Sequence, residues 1–251
     1  MRRLSALWAV AWLGGCAAGD PSAPAPPSPA VAPVPAATAR VFPGQLPASF
    51  SGTLPCADCP GLTLVVELYP GQVVVHRMRY AERGKEGGAL DYDAMGRWRL
   101  TDDGRRLVLH VGREGPVQFE VTGPDAIDLL GVEGQRIESP FNHTLRRDVV
   151  FTPIEPQLFM VGMYSHLADA SVFVECSTGW QLAVATEEDN AALERGYAAS
   201  GVTPGEPVLV SLEGRVAMRP SMEAGAPARR TLVPVRFNRA WPASACPSPA
   251  P

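Results

Sequence analysis

The chain has 251 residues, 46% hydrophobic and 19% charged, with 22 Lys+Arg against 26 Asp+Glu for a formal net charge of −4. A nucleic-acid binder carries a basic excess, so that class is excluded. No apolar run reaches the ~18 residues of a membrane-spanning helix, which excludes an integral helical membrane protein.

The chain opens with an export signal. Met1-Arg2-Arg3 is a basic start, and Leu4 to Leu13 (LSALWAVAWL) is an apolar core too short to span a bilayer. The signal ends in Leu13-Gly14-Gly15-Cys16, which resembles the lipobox of bacterial lipoproteins. That resemblance implies a signal peptide over residues 1–15, cleavage before Cys16 and acylation of Cys16. Each buried CH₂ contributes ~0.8 kcal/mol, so several acyl chains anchor stably where one is marginal. Ala17 follows the cysteine; an Asp there marks inner-membrane retention in enteric-type lipoproteins, so the resemblance implies outer-membrane sorting.

Residues 16–45 read as the lipidated cysteine and a disordered tether. Positions 17–40 hold seven prolines and no aromatic residue, so nothing there can form a core. Residues 46–147 then show short period-2 runs punctuated by turns. Leu62–Tyr69 and Gln72–Tyr80 join at Pro70-Gly71, and Met95–Leu100 and Arg106–Val111 flank Asp102-Asp103-Gly104. Val117–Thr122, Ala126–Leu130 and Ile137–Leu145 continue the series, and Ala81–Asp93 is expected as its longest loop. Short strands without a long helix predict a sandwich or small meander barrel.

Residues 148–157 read as a linker, 158–246 as a second domain and 247–251 as a tail. The second domain is expected to run Leu158–Ser165, Ser171–Cys176 and Gln181–Ala185 as strands, then a helix over Glu187–Ser200, then strands Pro207–Met218 and Thr231–Phe237. Thr186 is placed to cap the helix, with Glu187, Glu188 and Asp189 in its first turn. Leu193 and Tyr197 give the helix one apolar face. Three strands, a helix and two strands is the element order of an OB-type barrel, without the aromatic and basic platform of a nucleic-acid-binding one.

Setting Cys16 aside leaves four cysteines in an exported chain, an even number suited to disulfides. Cys56 and Cys59 can close on each other, leaving Cys176 with Cys246. The CxxC pair keeps three readings: a plain disulfide closing a turn, a catalytic dithiol, or soft ligands for Cu(I). A catalytic dithiol sits at a helix N-terminus, which an all-β run does not supply. A Cu(I) site could add His76 and Met78, which alternate on one strand face with Tyr80, although such alternation usually means packing.

Ser51 to Gly61 (SGTLPCADCPG) resembles the LPCADC segment of the NlpE (CutF) lipoprotein family. Ile137-Glu138-Ser139-Pro140-Phe141-Asn142, Gly162-Met163-Tyr164, Ala168-Asp169-Ala170 with Cys176, Leu193-Glu194-Arg195 and Pro207–Gly214 continue the resemblance in the same order. It implies a mainly β chain of two small barrels, an N-terminal lipocalin-like meander carrying CxxC and a C-terminal OB-type barrel closed by a disulfide. It also implies a lipid-anchored outer-membrane protein that senses envelope stress or surfaces by contact with the periplasmic domain of a Cpx-type histidine kinase. A link to copper homeostasis comes with it, by direct binding or through the stress response, and no cofactor is required. A lipocalin-like carrier of a small apolar ligand is a further alternative, requiring a cavity in the first barrel. The four histidines lack ligand spacing, and no nucleophile elbow, P-loop or dinucleotide fingerprint is present, so catalysis is not expected.

Overall fold

The computed structural model describes residues 41–57, 59–82, 88–112, 115–221 and 225–247. The signal peptide, Cys16 and residues 17–40 of the proline-rich tether lie outside the described residues, as do Asp58 and residues 248–251 of the tail.

The first body is a closed eight-stranded barrel. Its strands are β1 (Ala48–Leu54), β2 (Leu62–Leu68), β3 (Val73–Tyr80), β4 (Leu90–Leu100), β5 (Arg106–Val111), β6 (Val117–Gly123), β7 (Ala126–Leu129) and β8 (Thr144–Arg147). Each pairs antiparallel with its sequence neighbour, and β8 returns to β1 through Phe50 opposite Arg147 and Ser51 opposite Arg146. This is the expected meander, closed without a free edge. Alternate residues face inward. Phe50, Leu64, Val66, Val74, Trp98, Leu107, Leu109, Phe119, Ile127 and Leu145 form one buried cluster inside the barrel. The end of the segment expected as disordered tether is instead part of the barrel: Phe42, an aromatic residue with a core to enter, joins that cluster and packs edge-on to Phe50 and Trp98 at ring-centroid distances of 5.6 and 6.4 Å. The interior positions are filled with bulky side chains, which speaks against the expected alternative of a small-ligand carrier.

Three local expectations need correction. Strand β4 starts at Leu90, inside the segment read as a loop. Arg77 faces Asp93 and Arg79 faces Asp91 across the β3–β4 ladder, each pair closing with Nε–Oδ1 at 2.7 Å. Cross-strand ion pairs thus support acids whose propensity alone suggested a turn. Ile137–Leu145 is not a strand along its length; only Thr144–Arg147 pairs as β8. Pro140 offers no N–H, and the Asn142 side chain does the bonding, donating to the Thr53 carbonyl at 2.9 Å. Strand β1 had no marked counterpart in the sequence reading.

The second body is a closed five-stranded barrel in the spatial order β10-β11-β13-β12-β9. Its elements are β9 (Gln157–Leu167), β10 (Ala170–Glu175), β11 (Gln181–Val184), α1 (Asn190–Ala198), β12 (Val208–Arg219) and β13 (Arg229–Trp241). The parallel pairing of β11 with β13 follows the crossover through α1. The core gathers Met160, Tyr164, Phe173, Leu182, Val210, Leu212 and Leu232, and α1 adds Leu193 and Tyr197, both buried.

The helix starts later than expected, with Asp189 rather than Thr186 at the N-cap and no acid in its first turn. Arginines of β12 account for the difference: Glu187 pairs with Arg219 at 2.8 Å and Glu188 with Arg215 at 2.7 Å. Asp189 accepts the Phe237 N–H at 2.7 Å, tying the helix start to β13.

Candidate functional site

The cysteine loop lies between β1 and β2 at one rim of the first barrel. Leu54 pairs with Leu62, Leu62 with Tyr80 and Tyr80 with Leu90, which sets the level of that rim. Cys56 and Cys59 are joined as a disulfide with Cα atoms 5.4 Å apart. The Gly61 carbonyl, which accepts the Ala81 N–H at 3.2 Å, fixes the end of the loop against β3. Tyr80 and Tyr92 stand edge-to-face at 5.7 Å on the rim, with the Tyr80 hydroxyl 4.0 Å from the Met78 sulfur.

His76 and Met78 share the inward face of β3 with Val74. His76 is only 6% exposed, and burial holds its imidazole below the ordinary histidine range despite the Asp93 carboxylate, which raises it. At ~3.3 Å per residue, His76 lies about 13 Å inside the Tyr80 rim and Met78 about 7 Å inside it. The cysteine sulfurs are bonded to each other above that rim. In this state Cys56, Cys59, His76 and Met78 do not form a common ligand set. Among the described residues, no group of three or more His, Cys, Asp or Glu is placed to hold a metal ion.

Cys176 is joined to Cys246 with Cα atoms 5.3 Å apart, across 70 positions of sequence. Cys176 follows β10 and donates its N–H to Val161 of β9 at 2.9 Å, so the bridge fastens the segment after β13 beside those strands.

A second polar site, absent from the sequence reading, lies where the two barrels meet. Glu67 on β2 points away from its own barrel interior and is fully buried. Its carboxylate accepts the Ile154 N–H at 2.6 Å, the Tyr69 hydroxyl at 2.7 Å and Arg230 Nη2 at 3.1 Å. Arg230 comes from β13 of the other barrel, donates to the Ile154 carbonyl at 2.6 Å and also bonds the Tyr69 hydroxyl. Its guanidinium lies 4.9 Å from the Tyr69 ring and 5.7 Å from the Trp180 ring, a double cation–π contact.

The turn after β10 presents Trp180. The Glu175 carboxylate accepts the Ser177 and Thr178 N–H groups and both hydroxyls, at 2.6–3.0 Å, and so shapes that turn. Trp180 then meets Tyr69 at 5.2 Å, and Arg97 of β4 donates to the Thr178 carbonyl at 2.6 Å. Tyr69, Val73, Val75 and Ile154 form the buried apolar part, with Val65, Met95, Phe151 and Trp180 packed around it. Burial pushes the Glu67 carboxyl above its ordinary value against three donors that pull it down, and burial likewise raises the Tyr69 phenol.

The family model described as the NlpE N-terminal domain matches residues 50–140, and the one described as the NlpE C-terminal OB domain matches residues 154–247. Lipoprotein NlpE of Escherichia coli (strain K12) is 35% identical over 214 residues, covering 85% of this chain and 86% of that protein. The crystal structure of the Cpx pathway activator NlpE from Escherichia coli is 30% identical, covering 81% of this chain and 100% of that one, with a TM-score of 0.35. A putative lipoprotein from Shewanella oneidensis is 22% identical over 43% of this chain and 91% of its own, also with a TM-score of 0.35.

Proposed function

The chain belongs to the NlpE lipoprotein family, and from that premise we propose that it is a lipid-anchored, non-enzymatic sensor of the Gram-negative envelope acting in Cpx-type stress signalling. The observation that carries this reading is the 35% identity to the Escherichia coli lipoprotein along 85% of the chain. Acylated Cys16 holds the molecule at the outer membrane, and signalling proceeds by contact with the periplasmic domain of a sensor kinase. Two closed barrels with packed interiors support a protein that acts through its surfaces.

Titration of the mature lipidated chain in nanodiscs with the kinase periplasmic domain tests the contact. Saturable binding is expected, and its absence at high micromolar kinase would end this reading. Direct copper binding would require reduction of Cys56–Cys59 first, since thiolates are the ligands Cu(I) takes. Anaerobic Cu(I) titration of the reduced chain should then lose stoichiometric binding in Cys56→Ser; equal binding by that variant excludes the loop as a site.

A further inference from the structure

We propose that the inter-barrel junction is an opening latch, in which the C-terminal barrel occupies a docking face on β2, β3 and β4 that a partner protein competes for by presenting a cationic side chain beside an aromatic ring. The proposal rests on the contact reading above and names the surface and the chemistry of that contact.

The face is more than the first barrel needs for itself. Its interior is already filled by an inward cluster, yet Val65, Val73, Val75 and Met95 add a second apolar layer on the outside, with the Glu67 carboxylate set among them. Nearby charges do not answer Glu67, because Arg77 and Arg79 are engaged by Asp93 and Asp91. An anion among apolar side chains calls for a cation delivered on an apolar support. The C-terminal barrel supplies that combination, with Arg230 on Glu67 and Trp180 on Tyr69.

The same chemistry makes the contact reversible. A buried ion pair recovers little beyond the cost of desolvating its two charges. Here the Arg230 Nε is also buried without a hydrogen-bond partner, so the closed state leaves part of that cost unmet. The linker is built into the latch: Ile154 bonds both Glu67 and Arg230, and Phe151 packs edge-on to Tyr69 at 5.8 Å. Val149 and Val150 of the linker stand exposed between that anchor point and Asp148, which accepts the Ser49 and Ser51 hydroxyls of β1. Because the linker keeps the barrels tethered, the latch recloses at high effective concentration once a competitor leaves.

The test uses the full mature chain, its Arg230→Ala variant and the isosteric Glu67→Gln variant, which keeps the shape of the junction where Arg230→Ala fails to fold. Chymotrypsin cleavage after Phe151, identified by sequencing the fragments, reports opening, and titration with the kinase periplasmic domain reports docking. At least tenfold faster cleavage is expected in either variant, with an unchanged far-ultraviolet β-sheet signal showing that both barrels stay folded. Kinase binding should tighten at least tenfold in Arg230→Ala, which leaves Glu67 unanswered. Cleavage at the wild-type rate in both variants would overturn the latch. Faster cleavage with kinase affinity equal to wild type would overturn this face as the docking surface. Faster cleavage with no kinase binding by any form, wild type included, would instead overturn the contact reading and the assigned competitor with it.

Discussion

Glu67 and Arg230 are separated by 163 positions of sequence and by membership of different barrels, yet Arg230 Nη2 lies 3.1 Å from Glu67 Oε2 in a buried setting. The two bodies are therefore joined by a specific charge pair as well as by apolar area. Removing one partner of a buried pair costs about 3–5 kcal/mol because the other charge stays unpaired, whereas replacing both with apolar groups of similar volume is often neutral. A double-mutant cycle on Glu67→Leu and Arg230→Met, read by chemical denaturation, should show strong coupling, with the double variant more stable than either single. Additive losses would mean that the two side chains act independently.

His76 gives the first barrel an acid-sensitive stability. Its folded pKa lies below the ordinary value of 6.5, so as pH falls below about 6.5 the unfolded chain takes a proton that the folded barrel refuses. Stability should drop with acidification until the folded imidazole also titrates. Glu67 has the opposite sign: its folded pKa is raised above 4.5, so its contribution declines as pH climbs from 4.5 toward the folded value. His76→Leu should flatten the loss of stability below pH 6.5, and Glu67→Gln should remove the opposing slope. Thermal melts between pH 4 and 8 separate the two. An NMR titration placing the His76 pKa above 6.5 would contradict the assignment.

Gly96 marks a close approach of β4 to β5. A Cβ at this position would run into the His110 carbonyl, a backbone atom that cannot swing aside. Gly96→Ala should destabilise the first barrel by about 1–3 kcal/mol through overpacking and a displaced ladder. Gly104, in an open turn with φ of 71°, should instead lose about 1 kcal/mol on change to Ala through backbone strain alone. Denaturation midpoints of the two variants compare the effects directly.

The two disulfides should differ in worth. Loop entropy alone gives ~4 kcal/mol for closing the long Cys176–Cys246 loop and only ~2 kcal/mol for the four-residue Cys56–Cys59 ring. Cys246→Ser should therefore lower the melting temperature of the C-terminal barrel clearly more than Cys56→Ser lowers that of the first barrel. Equal shifts would mean that strain or residual structure in the unfolded chain outweighs loop length.

Local signals carried much of the architecture. Alternation fixed the inward faces of β2, β3 and β5, the Asp103-Gly104 turn marked the β4–β5 hairpin, and Leu193 with Tyr197 fixed the buried face of α1. Elements governed by distant partners escaped. The start of β4 depends on Arg77 and Arg79 of the neighbouring strand, and the start of α1 on Arg215 and Arg219 of β12. The inter-barrel cluster was illegible for the same reason. Glu67 sits as the one charged residue in strand Leu62–Leu68, which was the one local sign of it. Nothing nearby in sequence announces Arg230 as its partner, and Trp180 is aimed only once Glu175 has shaped its turn.

Acylation of Cys16 is proposed to decide which membrane the barrels work beside. Cys16→Ala should leave both barrels folded while freeing the chain from its anchor. The direct measurement is Cpx reporter output in Escherichia coli cells lacking their own NlpE and supplied with the wild-type chain, the Cys16→Ala chain or neither. Reporter activity should depend on the chain and change several-fold between the wild-type and Cys16→Ala forms. Equal output from those two forms, or identical output in all three, would contradict that role for acylation.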